Sequence, residues 1–460
     1  MTSTAFSSLP LSKEMLANIQ SLEYKVMTPI QAQSLPAILA GKDLLAQAKT
    51  GSGKTAAFGI GLLHKLEVKS YKTQALVLCP TRELADQISK ELRRLARAIP
   101  NTKITTLCGG TSLGPQLASL AHHPHIVVGT PGRLLKHLDK GTLQLNSIKA
   151  LVLDEADRML DMGFYEDIMK IIEATPRKRQ TLLFSATYPD EIKQISDAIQ
   201  NEPVDVRVET LHDNKNIEQI FYEIQKGERT KTLVALLQHY RPDHSLVFCN
   251  RKQQCQELAD DLWQQGFHAL TLHGDLEQSE RDQVLLQFAN KSSSILIATD
   301  VAARGLDIKD LAAVINFEVS QDPEVHVHRI GRTGRAGNKG LALSLFMPSE
   351  VDKITAIEKY QNSAVRIAKP DSLKTRDNFK LSPPMVTLCI NGGRKEKVRA
   401  GDILGALTAN NQLPGKQIGK IDIFDHEAFV AVERPIAKQA LKLLTEGKIK
   451  GRKFKARKLR

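Results

Sequence analysis

Short apolar runs alternate with amphipathic stretches along most of the chain, and no other feature limits the fold so strongly. Between Lys42 and Pro189 the runs are "DLLAQA", "QALVLCP", "HIVVGT", "KALVLDEAD" and "QTLLFSAT". Each is bounded by turn residues and rich in Leu, Val, Ile or Ala, the pattern of a strand buried on both faces. Stretches between them, such as "RELADQISKELRRLARAI", repeat apolar residues at the helical period. Strand and helix in alternation predict an open parallel sheet covered by helices. The rhythm restarts after Val208 with "IEQIFYEI", "HSLVFCN", "FHALTLHGD", "SSILIATD", "LAAVINF" and "LALSLF". Two α/β lobes are therefore expected, at 1–207 and 208–365. No close sequence repeat relates them, so any duplication is one of fold.

The polar stretch "RIAKPDSLKTRDNFKLSPP", residues 366–384, reads as a linker. The remainder, 385–460, has a different order. "MVTLCIN" reads as a strand, "AGDILGALTA" as a helix, and "GKIDIFD" and "EAFVAVE" as strands. "PIAKQALKLLTEG" reads as a helix and "RKFKARKL" as a last strand. This βαββαβ order is that of a ferredoxin-like unit. The segment is also strongly basic. It holds 17 Lys and Arg against 7 Asp and Glu, whereas the preceding residues are nearly balanced at 47 against 44. A basic module on a nearly neutral body points to a polyanionic partner. In "RKFKARKL", Lys453, Lys455 and Arg457 alternate with Phe454 and Ala456, which places the cations on one side of a strand.

"AKTGSGKT", Ala48 to Thr55, follows a strand and opens a helix, the setting in which a phosphate-binding loop has meaning. Gly51 and Gly53 let the backbone turn its N–H groups toward phosphate oxygens, and the helix N-terminus adds positive potential. Lys54 is expected at the β- and γ-phosphates and Thr55 at a magnesium ion. The first position, usually glycine, is Ala48. "ALVLDEAD" ends a strand with Asp154, placed to hold magnesium through water, and Glu155, placed to orient or deprotonate an attacking water. "HRIGRTGRAG", from His328, offers cations for phosphoryl transfer.

No run approaches the length of a membrane span, and the start, "MTSTAFSSLP", lacks the pattern of a secretory signal. The five cysteines show no metal-ligand spacing and sit mostly in apolar runs, as buried thiols of a reducing compartment do. A cytoplasmic monomer is the expectation.

These motifs stand in an ordered series. "MTPIQ", "AKTGSGKT", "PTREL", the pair Gly109-Gly110, "TPGR", "DEAD", "SAT", "VFCN", "ATDVAARGLDI" and "HRIGRTGR" follow one another between residues 27 and 335. The chain thereby resembles the DEAD-box ATP-dependent RNA helicases. The resemblance implies two RecA-like lobes and RNA-dependent hydrolysis of ATP with magnesium. It implies adenine recognition by Gln31, with Phe6 near the base. Nucleotide contacts would come from Ala48, Lys49, Thr50, Gly51, Ser52, Gly53, Lys54 and Thr55, and from Gly305 and Asp307. Arg332 and Arg335 would meet the γ-phosphate, with His328 nearby. Ser185, Thr187 and Asp157 would couple the DEAD site to RNA. The RNA backbone would be gripped by Thr81, Arg82, Gly110, Thr130 and Arg133, and by Asn250, Arg251, His273, Gly274 and Thr299. Gln278 and Arg281 match a further family element. The Gly-aromatic pair usual before the glutamine element is Glu23-Tyr24 here, a departure that bears on the local turn.

Within this family the chain resembles bacterial members whose C-terminal domain is similar to an RNA-recognition motif. That likeness implies binding to a hairpin of large-subunit ribosomal RNA during ribosome assembly. The aromatics of such a motif are depleted, however. In "DHEAFVAV" the third position is Glu427 and only the fifth, Phe429, is aromatic, while "LCINGG" has none. Binding is therefore expected to lean on Arg394, Lys395, Lys397, Arg399, Lys416, Lys420, Lys453, Lys455 and Arg457. A general RNA chaperone with an unspecific basic anchor, a non-catalytic RNA-binding scaffold and a DNA helicase stay open as alternatives.

Overall fold

The computed structural model describes residues 4–48, 51–188, 190–208, 217–303, 311–334, 339–375, 381–409 and 412–459. In the first lobe seven strands form one sheet: β1 (Leu44–Gln47), β2 (Ala75–Leu78), β3 (Ile104–Leu107), β4 (Ile126–Gly129), β5 (Ala150–Leu153), β6 (Gln180–Ser185) and β7 (Val204–Arg207). Their order is β3-β4-β2-β5-β6-β1-β7, and every pairing is parallel. The apolar runs have a direct cause. Along β2, Val77 packs into the core that holds Phe58 and Phe184, while Leu76 and Leu78 pack into the core on the other face. Both faces are dry, so the strand cannot alternate polar residues.

The second lobe contains β8 (Ile217–Glu223), β9 (Ser245–Cys249), β10 (Ala269–Leu272), β11 (Ile295–Thr299), β12 (Ala313–Asn316), β13 (Gly340–Phe346) and β14 (Arg366–Ala368). Their order is β10-β11-β9-β12-β13-β8-β14. Adding seven to each strand number of the first sheet gives this order, so the two lobes repeat one topology without a close repeat of sequence.

The segment 366–384 departs from its reading as a linker. It begins with β14, which pairs with β8 as an edge strand. Leu373 and Leu381 then pack on the core of the second lobe, and Lys374 N donates to His239 Nδ1 at 2.9 Å. Its composition is rich in Lys, Asp and Pro, but Ala368, Leu373 and Leu381 supply the apolar anchoring.

The C-terminal unit is the expected βαββαβ, with strands β15 (Met385–Ile390), β16 (Ile418–Ile423), β17 (Ala428–Glu433) and β18 (Ala456–Lys458) in the antiparallel order β16-β17-β15-β18. Helices Ala400–Thr408 and Ala437–Glu446 cover one face, where Leu388, Ile390, Val430 and Val432 meet Ile403, Leu407, Ala440 and Leu444. Phe454 and Ala456 turn toward this core as their alternation requires, although the strand itself starts only at Ala456. The other face does not meet water at its centre. Cys389, Phe429 and Leu459 pack on Leu286, from the second-lobe helix Gln278–Ala289. Around them Ser292 Oγ lies 2.7 Å from Thr387 Oγ1, Asn290 Nδ2 donates to Thr387 Oγ1 at 3.3 Å, and Met385 N donates to Lys291 O at 3.3 Å. Phe429, only 4% exposed, is thereby withdrawn from base stacking.

Glu23 resolves the departure noted in the sequence. Its φ of 63° keeps the left-handed turn that glycine usually makes, and Tyr24 stacks on Phe6 at 6.2 Å between centroids. The side chain of Glu23 is exposed. A residue with a Cβ costs about 1 kcal/mol in this conformation relative to glycine. Glu23→Gly is therefore predicted to stabilise the first lobe by about that amount in thermal or denaturant unfolding. A loss of stability would show that the side chain contributes more than its backbone conformation costs.

Candidate active site and nucleic-acid interface

Parallel strands deliver their following loops to one edge of the sheet, and the candidate residues lie there. Ala48 follows β1, and its N–H donates to Ser185 O at the end of β6 at 2.9 Å. Gly51 and Gly53 adopt left-handed φ values of 83° and 98°. A Cβ on Gly53 would stand 2.6 Å from Gln31 Nε2, so the position requires glycine. Gln31 sits in the first turn of the helix Pro29–Leu39, where its Oε1 accepts from Thr28 N at 2.9 Å and its Nε2 donates to Gly53 O at 3.1 Å. The glutamine element thus braces the phosphate loop directly. Phe6 is buried behind it.

Lys54 begins the helix Lys54–His64, and its Nζ donates to Ala48 O at 2.9 Å and stands 4.0 Å from Asp154 Oδ1. Asp154, at the end of β5, is 2% exposed. Burial pushes its carboxyl up to about 6, against the opposing pull of Lys54 and with a smaller push from Glu155. A carboxylate this costly to ionise is well suited to receive a cation. Ser52 Oγ is buried without a hydrogen-bond partner beside it in the loop, a polar group whose desolvation a phosphate oxygen would offset. Thr55 is half-buried in the first helical turn. Glu155 holds a left-handed φ of 53° and is nearly buried. Non-glycine residues keep such a conformation where the surroundings enforce it, most often at functional sites.

Asp157 ties this centre to the next strand end. Its Oδ2 accepts from Ala186 N at 3.1 Å, Thr187 N at 3.0 Å and Thr187 Oγ1 at 3.0 Å, while its Oδ1 accepts from Arg158 N at 3.0 Å. Ser185 Oγ is buried and unpartnered. The DEAD and SAT elements are therefore one hydrogen-bonded unit.

The lobe-one residues expected at RNA come from the ends of β2, β3 and β4, which are neighbours. Thr81 caps the helix Arg82–Leu95 by accepting from Leu84 N at 3.2 Å. Gly110 has a φ of 73°. Thr130 opens the helix Pro131–Asp139, and Arg133 Nη2 donates to Thr111 O at 2.9 Å, joining two of these loops.

In the second lobe, Asn250 and Arg251 follow β9, His273 and Gly274 follow β10, and Thr299 ends β11. Arg329, a residue not singled out from the sequence, tethers Asn250. It is 2% exposed and forks onto Asp300, at 2.7 and 2.6 Å. It also donates to Asn316 Oδ1, Glu318 O and Asn250 Oδ1 at 3.2, 2.8 and 2.9 Å, and lies over the Phe248 ring. Its place inside "HRIGR" was the available signal, but its neighbours looked equivalent as cations. His328 Nδ1 stands 4.0 Å from Glu324 Oε1, and Arg332 N donates to Arg329 O at 3.2 Å. Lys49, Thr50, Gly305, Asp307 and Arg335 lie outside the described residues.

On the C-terminal unit, Lys453 and Lys455 are exposed and Arg457 pairs with Glu427 at 3.8 Å. The basic loop from Arg394 to Arg399 is pinned. Arg394 N and Lys395 N donate to Phe424 O and Asp425 O at 2.8 and 2.9 Å, and Val398 N donates to Gly393 O at 2.9 Å. A Cβ on Gly393 would meet Phe424 O at 2.2 Å. Phe424 itself is 43% exposed and stands edge-on to Phe429 at 5.4 Å. This exposed ring beside a fixed basic loop was missed, because "KIDIFD" reads simply as an aliphatic strand ending in an aromatic.

Loss of the Arg329 fork leaves Asp300 without its cation and removes the tether of Asn250. Arg329→Gln is predicted to destabilise the second lobe by about 3 kcal/mol, read from denaturant unfolding of the full chain. A change within about 0.5 kcal/mol would mean that the network is a surface feature.

Comparison with known proteins agrees with this geometry. Residues 28–195 match the DEAD/DEAH box helicase family, 228–337 the helicase conserved C-terminal domain, and 387–458 the DbpA RNA binding domain. The chain is 53% identical over 458 residues to the ATP-dependent RNA helicase DbpA of Escherichia coli, covering 99% of this chain and 100% of that one. It is 44% identical over 355 residues to the DEAD-box ATP-dependent RNA helicase CshA of Bacillus subtilis, covering 77% and 72% of the two chains. Among solved structures, S. cerevisiae Dbp5 bound to RNA and ADP BeF3 matches with a TM-score of 0.74 at 29% identity, covering 80% of this chain and 96% of that one. Mss116p bound to ssRNA and AMP-PNP matches with a TM-score of 0.71 at 27% identity, covering 80% of both chains. With a buried lysine–carboxylate pair at its phosphate loop and relatives of this likeness along its whole length, the chain belongs to the DEAD-box ATP-dependent RNA helicases and carries a DbpA-type RNA-binding domain.

Proposed function

We propose that this helicase is directed by its C-terminal unit to a hairpin of 23S ribosomal RNA and remodels RNA locally during assembly of the large ribosomal subunit, acting in the cytoplasm as a monomer. The observation that carries the reading is the division of labour on the C-terminal unit. Its sheet centre is covered by Leu286, whereas the cations of the pinned loop Arg394–Arg399, Phe424, Lys453 and Lys455 are exposed. A fixed basic surface with an exposed ring suits a folded RNA better than a disordered tail does. An unspecific basic anchor would need neither the glycine-locked loop nor the docked sheet.

In hydrolysis, Lys54 neutralises the β- and γ-phosphates, and the loop N–H groups around Gly51 and Gly53 orient them. Thr55 and Asp154 would hold magnesium, partly through water, and the ion would supply charge stabilisation as phosphate leaves. Glu155 orients and deprotonates the water. Arg332 and Arg335 are the cations proposed for the transferred phosphoryl group, with His328 supporting them. Asp157 passes the state of this centre to Ser185 and Thr187. Thr81, Arg82, Gly110, Thr130, Arg133, Asn250, Arg251, His273, Gly274 and Thr299 hold the RNA backbone, a grip that does not depend on base identity.

The test compares ATPase stimulation by a 23S rRNA hairpin fragment and by unrelated RNA at equal nucleotide concentration. The hairpin is predicted to activate at much lower concentration, and Arg394→Gln with Lys453→Gln to abolish that preference while maximal ATPase persists. Each cation lost from the contact lowers the salt slope of binding by roughly 0.7 to 0.9. Equal stimulation by both RNAs would establish the general chaperone instead. Glu155→Gln is predicted to end RNA-stimulated phosphate release. Unchanged release would remove Glu155 from the chemistry.

A further inference from the structure

A buried polar chain lies under the Gly109-Gly110 loop of the first lobe and belongs to none of the elements above. Gln116, on the helix Leu113–Leu120, folds beneath the loop. Its Nε2 donates to Cys108 O at 2.9 Å and to Thr111 Oγ1 at 2.8 Å, bracketing the two glycines. Its Oε1 faces His137 Nε2 at 3.0 Å. An amide oxygen only accepts, so His137 Nε2 carries a proton. On the far side, His137 Nδ1 lies 2.9 Å from Thr142 Oγ1. Burial, reinforced by Arg133, Lys136 and Lys140, holds the ring below the usual histidine range. The ring is neutral near pH 7, so Nδ1 accepts, and the one proton of the Thr142 hydroxyl is shared between Nδ1 and the His137 backbone O, 3.0 Å away.

His137 is fully buried and stands one helical turn beyond Arg133 on the helix Pro131–Asp139. Arg133 reaches the same loop from outside, at Thr111 O. Two side chains at i and i+4 of one helix therefore hold one glycine loop, one directly and one through Gln116. An apolar pair would fill the buried space with less desolvation. What the polar chain adds is direction: it fixes the carbonyl before the glycines and the hydroxyl after them.

We propose that Gln116 and His137 are positioning residues that hold the Gly109-Gly110 loop in register with Thr130 and Arg133, so that the first lobe meets RNA with its backbone grip preformed. The proposal rests on the reading of Gly110, Thr130 and Arg133 as RNA contacts. Two adjacent glycines sample many conformations when unrestrained. Without the relay, the cost of ordering them falls on RNA binding. Neither residue touches the nucleotide, so ATP affinity and the rate at saturating RNA are insulated from their loss.

The experiment uses full-length Gln116→Leu, His137→Leu, the double variant, His137→Gln and Arg133→Ala. ATPase is measured against RNA and against ATP concentration, with thermal unfolding alongside. Each single leucine variant is expected to raise the RNA concentration for half-stimulation roughly tenfold, leaving the maximal rate and the KM for ATP within about twofold. The singles also lose thermal stability, because a buried partner is left unpaired. The double variant regains it, because both polar groups are gone, yet its RNA half-stimulation stays raised. His137→Gln keeps a donor for Gln116 and brings half-stimulation back toward the native value. A double variant with native half-stimulation overturns the proposal. So do singles that lose only stability while Arg133→Ala still raises half-stimulation, and in that case the backbone-grip reading stands. If Arg133→Ala also has no effect, both readings fall.

Discussion

A parallel sheet can be extended only by bringing the chain back to the same end of the sheet. Every strand then discharges its following loop at one common edge, and this constraint organises the molecule. In the first lobe the phosphate loop, Thr81, the Gly109-Gly110 loop, Thr130, Asp154 and Ser185 all leave the C-terminal ends of successive strands. Groups far apart in sequence become neighbours without any long excursion of the chain. The second lobe repeats the same strand order and places Asn250, His273 and Thr299 at the corresponding edge. Chemistry can be concentrated there because the strands themselves are dry on both faces and hold the edge rigid.

Burial at that edge makes each polar group answerable to a partner. Lys54 and Asp154 face each other out of water, Asp157 is saturated by three donors from the next strand end, and Arg329 spends its guanidinium on four partners. Such groups are expensive to isolate and therefore report on one another. In the proposed coupling, a change at the phosphate loop would reach Asp154, and the backbone from Asp154 to Asp157 would carry it to Thr187. No long-range wire is needed, since the coupled groups are in direct contact or a few residues apart.

Much of this was legible in the sequence because the physics behind it is local. Apolar runs marked the strands, the glycine spacing marked the phosphate loop, and the period of two put Phe454 and Ala456 inward. What escaped depended on contacts between distant residues. The stretch 366–384 looked like a linker by composition, yet Ile367 closes a sheet edge and Leu381 enters a core. Phe429 looked like the one stacking aromatic of the C-terminal unit, but Leu286, more than a hundred positions away in the chain, covers it. Gln116 and His137 carry no motif of their own, and Arg329 sits inside one without standing out from its neighbours. Their roles follow from what surrounds them, which only the fold determines. Glu23 is the reverse case: the residue type departs from the family pattern, and its backbone takes a left-handed turn that suits glycine.

The central claim is that RNA is selected by the outward basic surface of the C-terminal unit while its sheet face is closed against the second lobe. Residue-resolved crosslinking of a 23S rRNA hairpin to the full-length protein tests this most directly. The account predicts crosslinks at the loop Arg394–Arg399, Phe424, Lys453 and Lys455, with Phe429 and Leu459 untouched. Crosslinks centred on Phe429, or spread evenly over the basic residues with hairpin and unrelated RNA alike, would contradict it.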